Sequence, residues 1–235
     1  YLNTMSQLNI RFVELGFRSL KNNNFVGPNW YTSESYLNNI KIPKNLKVGV
    51  MINVSEVVSL GKNYKYIINK LFINKEKSKL FFVRVAAHLH EIEFAFEISR
   101  YLKKLGYMTA INLMQASEVT NQDLQKIFSR NKVYFPDIFY IADSLGNMKK
   151  NFVINQIKFI KTLWNGSIGI HTHDNLGLAI QNSNDALDAG ANWIDSTVCG
   201  MGRGPGNAPT EYLYVELQNR NINKSKYFRR TQVAG

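Results

Sequence analysis

Apolar positions along this chain alternate between two rhythms. Short runs rich in Val, Ile, Phe and Tyr recur at FVELGF (12–17), KVGVMIN (47–53), FFVRVAA (81–87), TAINLM (109–114), IFYIADS (138–144), IGIHTHD (168–174) and NWIDSTVC (192–199). Each begins 24 to 35 residues after the one before. Between them the period lengthens to that of a helix. In EIEFAFEISRYLKKL, the residues Ile92, Ala95, Ile98, Leu102 and Leu105 share one face, and Gly106 supplies a stop. Thr120 with Asp123 forms a capping pair that opens a helix through Ile127. Leu176, Ala179, Ile180, Ala186 and Leu187 mark another amphipathic stretch, which ends at Gly190. A parallel strand pair needs a crossover of about this length, so the pattern predicts repeated strand–helix units.

Seven strands in this order fit an open doubly wound sheet or an eight-stranded barrel. The polar residues decide between them. They gather at the C-terminal end of nearly every strand: Glu14, Asn53, Arg84, Asn112, Asp143 with Ser144, His171 with His173, and Asp195. An open sheet would concentrate them near one switch point, whereas in a barrel every strand end opens onto one site. The expected fold is therefore α/β, a (β/α)8 TIM barrel lacking its first strand. Residues 1–216 make strands two to eight, and 217–235 begin a C-terminal extension.

Two His-x-His pairs carry candidate chemistry. In IHTHDNLG, His171 and His173 project from the same face of a strand about 6 to 7 Å apart, so both imidazoles can reach one divalent ion. Hard ligands nearby would favour Mn2+ or Mg2+. Two histidines satisfied within a core are the plainer alternative. In HLHEIE, the residues after His88 begin a helical pattern that turns His90 away from the face His88 occupies. His88 is thus expected to face the site and bind substrate, without His90. After the last strand, GMGRGPGNAPTE has four glycines within seven positions, which permit close backbone approach. It reads as a phosphate-binding loop, as a tight closing loop, or as the segment that presents Asn207 to metal or substrate. Glu14 and Arg84 stand where strand residues should be apolar, and each needs a partner or a function. Arg84 is a substrate-binding candidate or a structural partner, and Asp143 and Ser144 bind substrate or cap the next helix.

Composition narrows the partners. The net charge is +12, but the lysines are spread singly or in pairs, with no basic stripe interleaved with aromatics, so no nucleic acid is expected. No run of eighteen apolar residues occurs, which predicts no membrane span, and the start lacks a signal-peptide layout. The lone Cys199 has no partner for an internal disulfide, which fits a reducing, cytoplasmic setting. The chain begins with Tyr1, so upstream sequence is expected.

VRVAAH, ADSLGNM, HTHDNLGLAIQNS with the following DAGANWID, and GMGRGPGNAPTE together resemble the metal-dependent barrel lyases. That superfamily includes hydroxymethylglutaryl-CoA lyase, isopropylmalate synthase and 4-hydroxy-2-oxovalerate aldolase, and the Gly-Asn-Ala-Pro segment looks most like the last. Asp174 stands where those aldolases often have a histidine. The resemblance implies a divalent-metal aldolase that cleaves a 4-hydroxy-2-oxoacid to pyruvate and an aldehyde, with His171, His173 and Asn207 as metal ligands. It also implies that Glu14 serves catalysis by orienting an arginine, and that Ser144 lies near the bound oxoacid. A 2-oxoacid substrate, an aldehyde dehydrogenase partner and a homo-oligomer follow from it. An acyl-CoA-dependent synthase or lyase, or a non-catalytic barrel remnant, is the alternative. The family's Asp-x-Thr-Leu-Arg-Asp motif, source of a metal-binding aspartate and that arginine, is absent from these residues, so the chain alone is expected to turn over weakly or not at all.

Overall fold

A computed structural model describes residues 1–20, 26–59, 63–220 and 231–232. Strands β1 (Phe12–Phe17), β2 (Lys47–Asn53), β3 (Phe82–Ala87), β4 (Met108–Leu113), β5 (Ile138–Asp143), β6 (Ser167–Thr172) and β7 (Trp193–Ile194) fall on the seven apolar runs. The helices are α1 (Leu2–Gln7), α2 (Pro28–Tyr31), α3 (Glu34–Asn39), α4 (Val54–Ser59), α5 (Tyr64–Leu71), α6 (Ile92–Lys104), α7 (Asn121–Arg130), α8 (Lys150–Leu163), α9 (Ala179–Ala189) and α10 (Thr210–Asn219). Local signals set their ends. Thr120 and Asp123 cap each other's backbone at the start of α7, and Gly190 closes α9 in the left-handed conformation with φ of 106°.

Each strand pairs in parallel with its sequence neighbour, in the order β7-β6-β5-β4-β3-β2-β1. Such an order has no switch point. Right-handed crossovers then carry every helix to one face, and the other face can be buried only by curling onto itself. Side-chain contacts show that curl. In a flat sheet β1 and β7 would lie roughly 30 Å apart, from a strand spacing of about 4.8 Å. Yet the Phe12 and Trp193 rings meet at 4.7 Å, and Arg84 of β3 reaches Glu14 of β1 and Asp195 just beyond β7. The seven strands form the curled wall of a TIM-type barrel without its first strand. The other edge of β1, where that strand would lie, pairs in parallel with a short β8 (Thr231–Gln232) from the far end of the chain.

Alternation along the strands divides the core in two. Outward residues such as Val13, Val48, Val50, Val83, Val85, Ile111, Phe139, Ile141, Ile168 and Ile170 join the helices in the larger cluster. Inward residues at the N-terminal end, Phe12, Phe82, Ala110, Ile138, Tyr140 and Trp193, form a separate plug. Glycine makes room for its rings: a Cβ on Gly49 would run into Phe82, and one on Gly169 into Tyr140. With its lower end filled, the barrel can open only at the C-terminal ends of the strands.

Two expectations change in detail. The seventh strand is two residues long, because after the bond from Asp195 N–H to the Ile170 carbonyl the chain leaves β6, and Thr197 donates its N–H to Ala208 of the closing loop. The boundary expected after 216 falls within α10, which runs on to Asn219; residues 221–230 and 233–235 lie outside the described residues.

Candidate active site

A cavity of about 730 Å³ opens above the aromatic plug, where inward positions have turned polar. Its wall includes Asn53, Arg84, His88, Asn112, Ser144, His171, His173, Arg203 and Asn207, with Trp30 and Phe17 on one side. Six of the seven expected site residues thus line one cavity. The seventh, Glu14, is fully buried beneath it against Arg84.

Arg84 organises the floor. Its Nε and Nη2 donate to the two carboxylate oxygens of Glu14 at 3.1 and 2.6 Å, in the paired geometry that suits a guanidinium. Nη1 donates to Asp195 Oδ2 and, at a longer 3.4 Å, to Asn112 Oδ1, while the guanidinium lies 5.2 Å from the centre of the Tyr140 ring. Burial opposes its charge, but Asp195 and Glu14 outweigh that and raise its pKa further, so Arg84 is a permanent cation. Glu14, expected to orient the arginine of the absent motif, is paired here with Arg84.

Above that floor sit the two histidines. His171 Nδ1 lies 2.9 Å from Asp195 Oδ2, and the His171 and His173 rings stand 5.1 Å apart in an edge-to-face arrangement. The imidazole of His173 has its pKa lowered to about 4, first by burial and then by the neighbouring His171 and Arg203 side chains; a backbone contact from Arg203 acts the other way. His173 is therefore neutral near pH 7, the state in which an imidazole can ligate a cation.

The glycine-rich loop completes the wall. An antiparallel bridge pairs His173 with Asn207, and Asp174 N–H donates to the Gly206 carbonyl at 2.9 Å. Gly206, at φ of 100°, lies so close to the Gly200 carbonyl that no side chain fits. Asn207 Nδ2 donates to the Met201 carbonyl at 3.1 Å, which turns Oδ1 the other way; that oxygen is buried and has no hydrogen-bond partner among the described residues. Arg203 crosses from this loop to donate to the Ser144 carbonyl at 2.6 Å. Loop closure and presentation of Asn207 are thus one arrangement.

The remaining candidates separate cleanly. His88 lines the cavity, whereas a short 3-10 turn, Leu89–Glu91, carries His90 outward to 78% side-chain exposure. Ser144 faces the cavity, and its hydroxyl accepts from Gln115 N–H at 2.9 Å. Asp143 is buried and accepts the N–H groups of Asn147 and Met148, while burial raises its pKa against those bonds. Asp174 Oδ1 accepts from Ala179 N–H at 2.8 Å and so caps α9. Both aspartates hold loops in place. Asp195, Asn112 and Arg203 belong to the site although the motifs did not single them out for it. Asp195 shares the inward parity of Trp193 and could have been found by alternation; Arg203 sits on a loop, where no periodicity points inward.

Two imidazoles and an asparagine whose amide oxygen is buried and, among the described residues, without a hydrogen-bond partner line one polar wall, and this mixture of nitrogen and hard oxygen suits Mn2+ or Mg2+. Among the described residues no group of three His, Cys, Asp or Glu side chains gathers round a common point. The fit is therefore to a partial ligand set. Among the described residues, no helix is long and apolar enough to cross a membrane.

Comparisons with known proteins follow this geometry. An HMGL-like family model matches residues 69–233. A 4-hydroxy-2-oxovalerate aldolase from Geobacillus genomosp. 3 is 38% identical over 140 residues, covering 60% of this chain and 42% of that protein. The Thermus thermophilus protein of the same name is 34% identical over 142 residues, covering 60% and 41%. The match thus spans about two-fifths of these relatives' length. Among solved structures, the N-terminal domain of a Bacteroides vulgatus protein provisionally classed as an aldolase superposes with a TM-score of 0.79 at 26% identity, over 95% of this chain and 75% of that one. HMG-CoA lyase from Bacillus subtilis shares the fold, with a TM-score of 0.72 at 15% identity, over 96% of this chain and 79% of its own. With the matched region running from α5 through the sheet and the glycine-rich loop to β8, this chain belongs to the HMGL-like family.

Proposed function

We propose that this chain carries the active-site wall of a divalent-metal-dependent carbon–carbon lyase that cleaves a 4-hydroxy-2-oxoacid to pyruvate and an aldehyde. The observation that carries this reading is that His171, His173 and Asn207 line one cavity at the C-terminal ends of the strands, with the two imidazole rings 5.1 Å apart. The similarity to proteins named 4-hydroxy-2-oxovalerate aldolase supports the choice of substrate. His171, His173 and Asn207 would hold Mn2+ or Mg2+. Bound there, such an ion supplies Lewis-acid polarisation of a 2-oxoacid's oxygens and offsets the negative charge that grows as the C3–C4 bond breaks.

The chain's own groups bind and orient. Arg84 commits four of its five N–H donors to Glu14, Asp195 and Asn112, so it fixes the floor beneath the substrate in one arrangement. Ser144 and His88 flank the cavity with groups able to hydrogen-bond the oxoacid, and the bond from Arg203 to the Ser144 carbonyl ties the glycine-rich loop to that wall. Trp30 and Phe17, whose rings pack at 5.0 Å, give the opposite side an apolar surface for the aldehyde half and exclude water from it.

The test supplies Mn2+ and 4-hydroxy-2-oxopentanoate to the protein with the sequence upstream of Tyr1 restored, and to its His171→Ala, His173→Ala double variant, and measures pyruvate release. Pyruvate formed by the first and not the second supports the proposal. Consumption of an acyl-CoA thioester in place of the oxoacid would assign the site to the thioester lyases. Equal, weak Mn2+ binding by both proteins would remove the physical basis of either enzyme reading.

A further inference from the structure

The floor beneath the histidines is ionic and closed to water. Glu14, Arg84 and Asp195 have side-chain exposures of 0%, 1% and 1%. One guanidinium thus faces two carboxylates in a region closed to solvent. Glu14 takes Arg84's Nε and Nη2 in a bidentate pair, leaving Asp195 with a single nitrogen, Nη1, which also leans toward Asn112. The same oxygen of Asp195 that accepts from Arg84 contacts His171 Nδ1 at 2.9 Å. A carboxylate beside a guanidinium can only accept hydrogen bonds, so the ring nitrogen must donate.

We infer that Asp195 is a positioning residue: it holds His171 in the Nδ1–H form and so aims the ring's bare Nε2 into the cavity. The inference rests on the reading of His171 as a ligand and adds a cause for it. An imidazole in water prefers to carry its proton on Nε2, the nitrogen a ligand must keep free, so something must reverse that preference. Asp195 is built for the task, because Arg84 fixes its orientation and Arg84 is itself fixed by Glu14, two strands along the wall. A carboxylate–histidine pair of this kind raises ligand basicity, and its loss typically costs about 10–100-fold in metal affinity.

The experiment has two arms. In metal-free wild-type protein, 15N chemical shifts of the His171 ring report the tautomer without any substitution; the Nδ1–H form is expected, and the Nε2–H form overturns the inference. In the second arm, Mn2+ binding is followed by the loss of the free-ion electron paramagnetic resonance signal. Asp195→Ala should raise the Mn2+ dissociation constant about 10–100-fold and shift the His171 tautomer toward Nε2–H. Asp195→Glu should recover part of the affinity. Asp195→Ala binding Mn2+ as tightly as wild type would also overturn the inference. Should Asp195→Ala fail to fold, the wild-type tautomer still decides. Wild-type protein that shows the Nδ1–H form yet takes up no Mn2+ refutes the proposed lyase site and leaves the role of Asp195 in orienting His171 intact.

Discussion

Replacing Arg84 by Met tests how the barrel interior is held. Met has comparable length and no charge, so the substitution removes a cation from between Glu14 and Asp195 while keeping much of the volume. Neither carboxylate can turn to water, since each is 2% exposed or less. Removing one partner of a buried ion pair costs about 3–5 kcal/mol, and here one arginine serves two carboxylates, which places the loss at the upper end. Against a typical domain stability of about 5–15 kcal/mol this is a large share. For a chain of this size it lowers the melting temperature by roughly 6–20 °C. Urea unfolding followed by circular dichroism measures it, as a shift in midpoint at constant slope. Adding Glu14→Gln to Arg84→Met should restore part of the loss, because the damage is uncompensated charge rather than missing volume. A loss under about 1 kcal/mol, or a double variant less stable than Arg84→Met alone, would refute this account of the floor, since a broken buried pair should cost several times as much.

Further outcomes follow from the same structure. Gly169→Ala drives a methyl group into the Tyr140 ring, which supports Arg84, and should cost about 1–3 kcal/mol in urea unfolding. His173 has a pKa depressed to about 4 from an unfolded value of 6.5, so the unfolded chain takes its proton first as pH falls. Its contribution to stability is thus fully present above pH 6.5, falls between 6.5 and about 4, and changes no further below; melting curves of wild type and His173→Gln should converge in slope once that contribution is removed. Asn207→Ala removes the amide oxygen and its bond to Met201, and should weaken Mn2+ binding by less than His171→Ala does in the same titration. Arg203→Ala unties the glycine-rich loop from the Ser144 carbonyl and should raise KM for the oxoacid more than it lowers kcat, read from initial rates.

The strands were legible in the sequence because burial on both faces leaves continuous apolar runs, and β1 and β2 begin and end where FVELGF and KVGVMIN do. The placement of the two histidines was legible for a related reason. In IHTHD, period-two alternation carries His171 and His173 inward together, and the structure sets both on the cavity wall. What alternation alone does not encode is contact across the barrel. Glu14 and Arg84 have only β2 between their strands, but Asp195 follows β7 at the far end of the order, and only the curl of the sheet brings it into their ion network. For that reason Arg84 remained open between substrate and structure, and Asp195 looked like one polar strand end among several. The short β8 beside β1 was also out of reach, since TQ has no periodicity to read. His90 was read correctly as turned away, because the helical rhythm after His88 is visible in HEIE.

The central claim is that His171 and His173 make this cavity a divalent-cation site. A titration of Mn2+ into wild-type protein and into the His171→Ala, His173→Ala double variant, with free Mn2+ read from its electron paramagnetic resonance signal, tests it most directly. The account predicts saturable uptake of one ion per chain by the wild type and at least a tenfold weaker uptake by the double variant, in line with about 10–100-fold for the loss of even a supporting group. Identical binding curves for the two proteins would contradict it.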